Sequence, residues 1–206
     1  MPDSTDVARM ACSLLLTFPD DALVDRFGEI AVAVAGLPPE TGDPLTAFLD
    51  HMANTRLIDL QAHFVAIFDM RRRACPYLTY WTEGETRNRG MALVKFKQTY
   101  AEYGFELSDA ELPDHLAVVL EFAAAGDRLT GDAMLAEYAG PIGLLREALA
   151  SMESPYVHVL DAVLATLPEL TGDIRARMVE LAAAGPPVET VGMEPYPTAL
   201  QIGVRR

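Results

Sequence analysis

Cysteine is nearly absent: Cys12 and Cys75 are the only two in 206 residues. Two thiols so far apart cannot build a disulfide framework or a four-thiolate zinc site, so both read as small buried hydrophobes or inert thiols. Positive charge is also short. Sixteen Lys and Arg face thirty Asp and Glu, for a net charge of −14. That deficit argues against nucleic acid or an anionic membrane as the main partner and favours a basic one. Long apolar runs are missing. The longest, Ile30 to Leu37, falls far below the roughly 20 residues of a membrane span. The first residues carry no basic start, so no signal peptide is read and the expected address is the cytoplasm.

Catalytic signatures are missing too. The chain has no GxGxxG, P-loop, GxSxG, HExxH or CxxC pattern. Its four histidines, His51, His63, His115 and His158, never pair at helical spacing, so no helical metal site is expected. A Cys75–His115 nucleophile pair has no local support.

Half of the residues are apolar, enough for a core of ordinary size, and the apolar period is 3.6 nearly throughout. The spacing predicts a helix from Ser4 or Thr5 to before Pro19, and another over about 21–35. Asp43-Pro44 reads as an N-cap followed by an N1 proline. Further helices are predicted at about 56–68 and 86–103, from Pro113-Asp114 to Gly126, over 131–138, over 141–152, after Ser154-Pro155, and at about 172–184. Between Asp69 and Glu85 the period is lost. Four prolines and three glycines break up 185–206. The expected architecture is all-α: one bundle of about nine to ten helices over 5–184, with a flexible C-terminal tail at 185–206.

Charge is unevenly spread. Residues 71–97 hold Arg71, Arg72, Arg73, Arg87, Arg89, Lys95 and Lys97 against only Glu83 and Glu85, so this stretch is net +5 within a chain that is otherwise net −19. A basic strip screened by acidic neighbours would explain it. So would a loop that organises something while the acidic remainder attracts a basic ligand. A third reading is a nucleotide- or pterin-binding surface, though no glycine-rich phosphate loop accompanies it. The same region is aromatic. Phe64, Phe68 and Phe96 have helical spacing and read as core. Tyr77, Tyr80 and Trp81 fall where the period is lost, beside Pro76 and Gly84, and suit a groove that accepts another chain.

Glu111-Leu112-Pro113-Asp114-His115 precedes a clean apolar helix. Carboxylates there would satisfy free N–H groups at the helix start and oppose its dipole, which accounts for Glu111 and Asp114. His115 is left as a pH-sensitive contact or an exposed residue.

Three stretches resemble the NarJ-type nitrate reductase assembly chaperones, a branch of the TorD/DmsD redox-enzyme maturation family. They are His63-Phe64-Val65-Ala66-Ile67-Phe68-Asp69 with Arg71-Arg72; Tyr77-Leu78-Thr79-Tyr80-Trp81 through Glu85, Arg87 and Arg89 to Gly90, with Phe96-Lys97; and Glu111-Leu112-Pro113-Asp114-His115-Leu116. The third is the E-x-P-D-H type motif of the wider group. The resemblance implies a TorD-like helical fold without enzymatic activity or a cofactor of its own. It implies binding of the basic, amphipathic N-terminal segment of an apo molybdoenzyme catalytic subunit. The subunit is held competent while a molybdenum bis(pyranopterin guanine dinucleotide) is inserted, and its docking on the membrane subunit is delayed. Molybdenum cofactor biosynthesis proteins are further partners in this picture. Nitrate reductase is the implied client; selenate reductases, dimethyl sulfide dehydrogenases and sulfoxide reductases have similar chaperones. On this reading Phe64, Phe68, Tyr77, Tyr80 and Trp81 touch the client, with Asp114 and His115 setting the local geometry. Arg87 and Arg89 pin the 77–85 segment by pairing with Asp69 or Glu85, and Glu111 and Pro113 shape the motif.

Overall fold

Aspartates start several of the helices in the computed structural model, which describes residues 3–107 and 111–168. Asp3 accepts from Thr5 N at 2.8 Å, Asp20 from Leu23 N at 2.9 Å and Asp127 from Thr130 N at 2.8 Å. Each satisfies a donor that the first turn leaves free. The helices are α1 (Ser4–Leu15), α2 (Asp21–Asp25), α3 (Phe27–Val34), α4 (Pro39–Ala53), α5 (Leu57–Phe64), α6 (Leu78–Glu83), α7 (Arg87–Glu102), α8 (Leu116–Ala125), α9 (Arg128–Glu137), α10 (Ala139–Ser151) and α11 (Tyr156–Ala165). A π-helical turn, Val65–Asp69, prolongs α5, and a single 3-10 turn, Arg72–Ala74, follows it. Among the described residues there is no strand, only an isolated bridge between Tyr77 and His115. The all-α expectation therefore holds, with eleven α-helices among the described residues where nine or ten were expected.

The differences have local causes. The helix read over 21–35 breaks at Arg26 into α2 and α3. α4 starts at Pro39, not at Pro44, because Pro38-Pro39 already supplies the favoured N1 proline. Pro44 consequently lies inside α4, where it removes one backbone donor. The segment read as irregular over 69–85 contains α6, closed by Gly84 at φ 62°. A left-handed residue at that point favours glycine. The expected helix at 172–184 and the tail at 185–206 lie outside the described residues.

α1 is central. It packs against α8 and α11 and touches α3 and α4, while α11 packs on α4 and α10, and α8 on α9. Ser13 Oγ donates to Ala117 O at 2.7 Å, tying α1 to the first turn of α8. Arg9, buried in α1, donates to Thr166 O at 2.8 Å and pairs with Asp132 of α9. An aromatic cluster fills the α4–α5–α11 seam. Tyr156 lies 4.8 Å from Phe48 and 4.9 Å from Phe68, with Phe64 at 4.8 Å from Phe68. Each such ring contributes about 1.5–3 kcal/mol through burial.

α8 and α9 meet at Gly131, where a Cβ would stand 2.5 Å from Ala123 Cα. At Gly90, exposed on α7, a Cβ would meet nothing within 4 Å. Urea unfolding is expected to show Gly131→Ala destabilised by about 1–3 kcal/mol through overpacking. Gly90→Ala is expected to gain about 0.5–1 kcal/mol through helix propensity.

Candidate functional site

The Glu111–His115 stretch folds against α6, so it serves that helix as well as α8, which it precedes. Asp114 is fully buried. Its Oδ2 accepts from Thr79 N at 3.1 Å and from the Thr79 hydroxyl, and its backbone oxygen accepts from Leu78 N at 3.0 Å. These donors belong to the first turn of α6. Asp114 thus caps α6 from 35 residues away, which corrects the expectation that it caps its own helix. α8 is capped instead by His115, whose Nδ1 accepts from Ala117 N at 3.1 Å. Glu111 accepts from the Tyr77 hydroxyl at 3.0 Å and from Leu112 N at 2.8 Å. Pro113 O accepts from the Tyr100 hydroxyl at 2.8 Å.

Arg89 completes the cluster. Its Nη2 lies 3.6 Å from Asp114 Oδ2, its Nε donates to Thr79 Oγ1 at 3.3 Å, and its guanidinium sits 5.7 Å from the Tyr77 ring centroid. The expected partners of the arginines are therefore corrected. Arg89 pairs with Asp114, Glu85 faces Arg72 at 3.8 Å, and neither Arg87 nor Asp69 makes an ion pair among the described residues. Local charge order suggested the near carboxylates. The fold brings a distant, buried one, which attracts a guanidinium more strongly than an exposed one does.

Phe64, Phe68, Trp81, Asp114 and His115 are all buried, whereas Tyr77 and Tyr80 are half-buried. Trp81 Nε1 donates to Cys75 O at 3.0 Å, and Tyr77 meets the His115 ring edge-on at 5.2 Å. Tyr80, Phe68, Met70 and Cys75 line a cleft of about 390 Å³ with Arg72 and Arg89. The basic strip gathers at this cleft: Arg71, Arg72 and Arg89 outnumber Asp69 and Glu85. Both thiols are free; burial pushes Cys12 up to about 12 and raises Cys75 as well.

A second concavity escaped the sequence reading. Val7, Met10 and Leu14 of α1, Ile30 of α3 and Ala124 of α8 line an apolar groove of about 360 Å³. Asp6 and Glu29 stand at its rim, with Arg26. Asp6 Oδ1 is buried without a hydrogen-bond partner, its nearest cation being Arg128 Nη1 at 3.8 Å. The signal was present in part, since Val7, Met10 and Leu14 share one face of α1 at 3.6 spacing. The wall from α3 and the floor from α8 come only from tertiary packing.

A model of the nitrate reductase delta subunit family matches residues 35–162. The chain belongs to the nitrate reductase delta subunit family. It is 37% identical over 164 residues to the nitrate reductase-like protein NarX of Mycobacterium tuberculosis, covering 80% of this chain and 25% of that one. The chain thus spans about a quarter of that relative's length. It is 30% identical over 167 residues to a probable nitrate reductase molybdenum cofactor assembly chaperone, NarJ, of Bacillus subtilis, covering 76% of this chain and 86% of that one. A crystal structure described as a putative redox enzyme maturation protein from Archaeoglobus fulgidus shares the fold, with a TM-score of 0.58, 20% identity, and coverage of 77% of this chain and 91% of that one. In this delta subunit family member, no helix of the described residues is long and apolar enough to cross a membrane.

The motif's geometry sets the expected behaviour of its variants. Asp114→Ala uncaps α6 and strands Arg89, so denaturant unfolding is expected to show a loss of about 3 kcal/mol. Combined with Arg89→Met, the loss is expected to be smaller than the sum of the two single losses. Burial holds the His115 imidazole below its ordinary 6.5, outweighing the raising effect of Glu111 and Asp114. The neutral ring that caps α8 is therefore the folded form. Its contribution is present above pH 6.5 and is lost as pH falls through the lowered folded value. His51 and His63 are lowered by burial in the same sense. Unfolding midpoints are expected to fall between about pH 7 and 5, and His115→Asn, which keeps a capping oxygen, is expected to show a shallower fall.

Proposed function

We propose that this chain is an assembly chaperone of nitrate reductase and not a catalyst. It binds the basic, amphipathic N-terminal segment of the apo catalytic subunit in the cytoplasm. It holds that subunit competent for molybdenum cofactor insertion and delays its docking on the membrane subunit. Family membership supports the class of client. The apolar groove of α1, α3 and α8, with Glu29, Arg26 and the Arg128-paired Asp6 at its rim, is the observation that supports the mode of binding.

A helix that presents apolar residues at i, i+3 or i+4 and i+7 fits such a groove. Val7, Met10, Leu14 and Ile30 supply burial, worth about 1.5–3 kcal/mol for each large apolar side chain that leaves water. Glu29, exposed at the rim, adds steering and orientation more than affinity. The Tyr80 cleft suits a cationic client less well, because its rim carries a surplus of arginine. We accordingly place Asp114, His115, Glu111 and Pro113 in the frame, and Phe64, Phe68 and Trp81 behind it. Tyr77 and Tyr80 are the members of the predicted set with exposed surface.

Titration of the full chain with a synthetic peptide of the catalytic subunit's N-terminal residues tests this reading. Saturable binding at micromolar concentration is expected, weakened by added salt and at least about tenfold by Met10→Asp. Absence of saturable binding would overturn the reading, and equal binding by the variant would remove the groove from it.

A further inference from the structure

α5 turns an apolar face to solvent. Leu60 and Phe64 point into the core, while Ile58, Ala62 and Val65 recur at i, i+4 and i+7 on the outside. Phe18, also exposed, stands beside this helix, edge-on to Phe64 at 5.6 Å. The π-helical turn closes the face. Met70 N donates to Val65 O at 3.1 Å, which leaves Phe68 buried and Met70 74% exposed. Exposed apolar residues scattered singly are ordinary, but a contiguous run marks a contact surface. From Ile58 to Met70 this run is about 18 Å long. It leads into the basic cleft, which Phe68 and Met70 share with Arg71, Arg72, Tyr80 and Arg89. Arg71, Arg72 and Arg73 are all exposed. Arg72 faces Glu85 at 3.8 Å across two solvated side chains, and Arg71 and Arg73 make no ion pair among the described residues. Arg89 is held in place by Asp114 and Thr79. Asp69 and Glu85 reduce the positive charge of the cleft without cancelling it.

We propose that the outer face of α5 and the Tyr80 cleft together form a second docking surface, one that takes an acidic amphipathic segment of a partner protein. Apolar residues of that segment at i, i+4 and i+7 cover Ile58, Ala62 and Val65, and the unbranched Met70 side chain adapts to their shape. Carboxylates at the end of the segment accept forked hydrogen bonds from Arg71 and Arg72. The charge decides the sign of the partner: in a chain of net charge −14, an exposed arginine cluster beside an apolar run selects an anion. The run decides its size. A small anion would fill the cleft and leave Ile58, Ala62 and Val65 in water, whereas a helical segment covers both. None of the residues lining this cleft lines the groove of α1, α3 and α8, so the two surfaces can be occupied together. The proposal does not rest on the client reading above.

Fluorescence anisotropy with a labelled synthetic helical peptide tests the surface, and the titration contains no client segment. The peptide carries leucines at i, i+4 and i+7 and glutamates at both ends, so that either orientation brings acid to the cleft. The full chain is expected to bind it saturably at micromolar concentration, and less tightly as salt is added. Replacing the glutamates by glutamine is expected to weaken binding at least about tenfold, as is the double change Arg71→Glu with Arg72→Glu. Val65→Asp is expected to weaken it by about as much, and Ile58→Asp, at a second exposed position, reads the same contact should Val65→Asp lower the unfolding midpoint. Absence of saturable binding, or equal binding by the arginine variant, would overturn the proposal. Loss in the arginine variant with no change in either aspartate variant would overturn it too, in favour of a small-anion site confined to the cleft.

Discussion

The buried carboxylate of Asp114 is the constraint on which the rest of the architecture depends. It lies between two helix starts. One oxygen and the backbone carbonyl take the first donors of α6, and the adjacent His115 takes a first-turn donor of α8. α8 in turn is tied through Ala117 to Ser13 of α1, and it carries Ala124 in the floor of the groove. A charge buried in protein is tolerated only with its donors in place. The requirement for Thr79, Leu78 and Arg89 around this residue therefore fixes α6, α7 and α8 together. The second carboxylate oxygen lacks a hydrogen bond, so the cluster is held from one side of the group.

The motif and the groove lie at different places in the fold. The aromatic residues that looked like a docking surface mostly fill the protein's own seams: Phe64 and Phe68 pack with Tyr156, and Trp81 ties back to Cys75. The apolar groove proposed for a partner lies between α1, α3 and α8, with Asp6, Glu29 and Arg26 at its rim. The positive strip lies elsewhere, around Tyr80 and Arg89.

The helical period and the Gly126 stop after α8 were legible residue by residue, and the period carried the all-α architecture. What escaped depends on contacts across the chain. Nothing near Asp114 in sequence says that its carboxylate serves Thr79, because local order points to the helix it precedes. Likewise α6 has only six residues, with Leu78 and Trp81 inward, too few for a period to emerge from the irregular flanks. The groove needs two walls, and the apolar spacing of Val7, Met10 and Leu14 on one helix and of Ile30 on another does not say that the two leave a gap between them. A stripe looks the same in sequence whether a neighbouring helix or a foreign one covers it.

The central claim is that the motif builds the frame while α1 and α3 make the contact. Photocrosslinking tests it most directly, with a client peptide that carries a benzophenone on its apolar face, bound to the full chain and mapped by mass spectrometry. Adducts on Met10, Leu14 or Ile30 are expected. Adducts confined to Tyr80, Met70 or Arg72 would contradict the claim and move the client to the basic cleft.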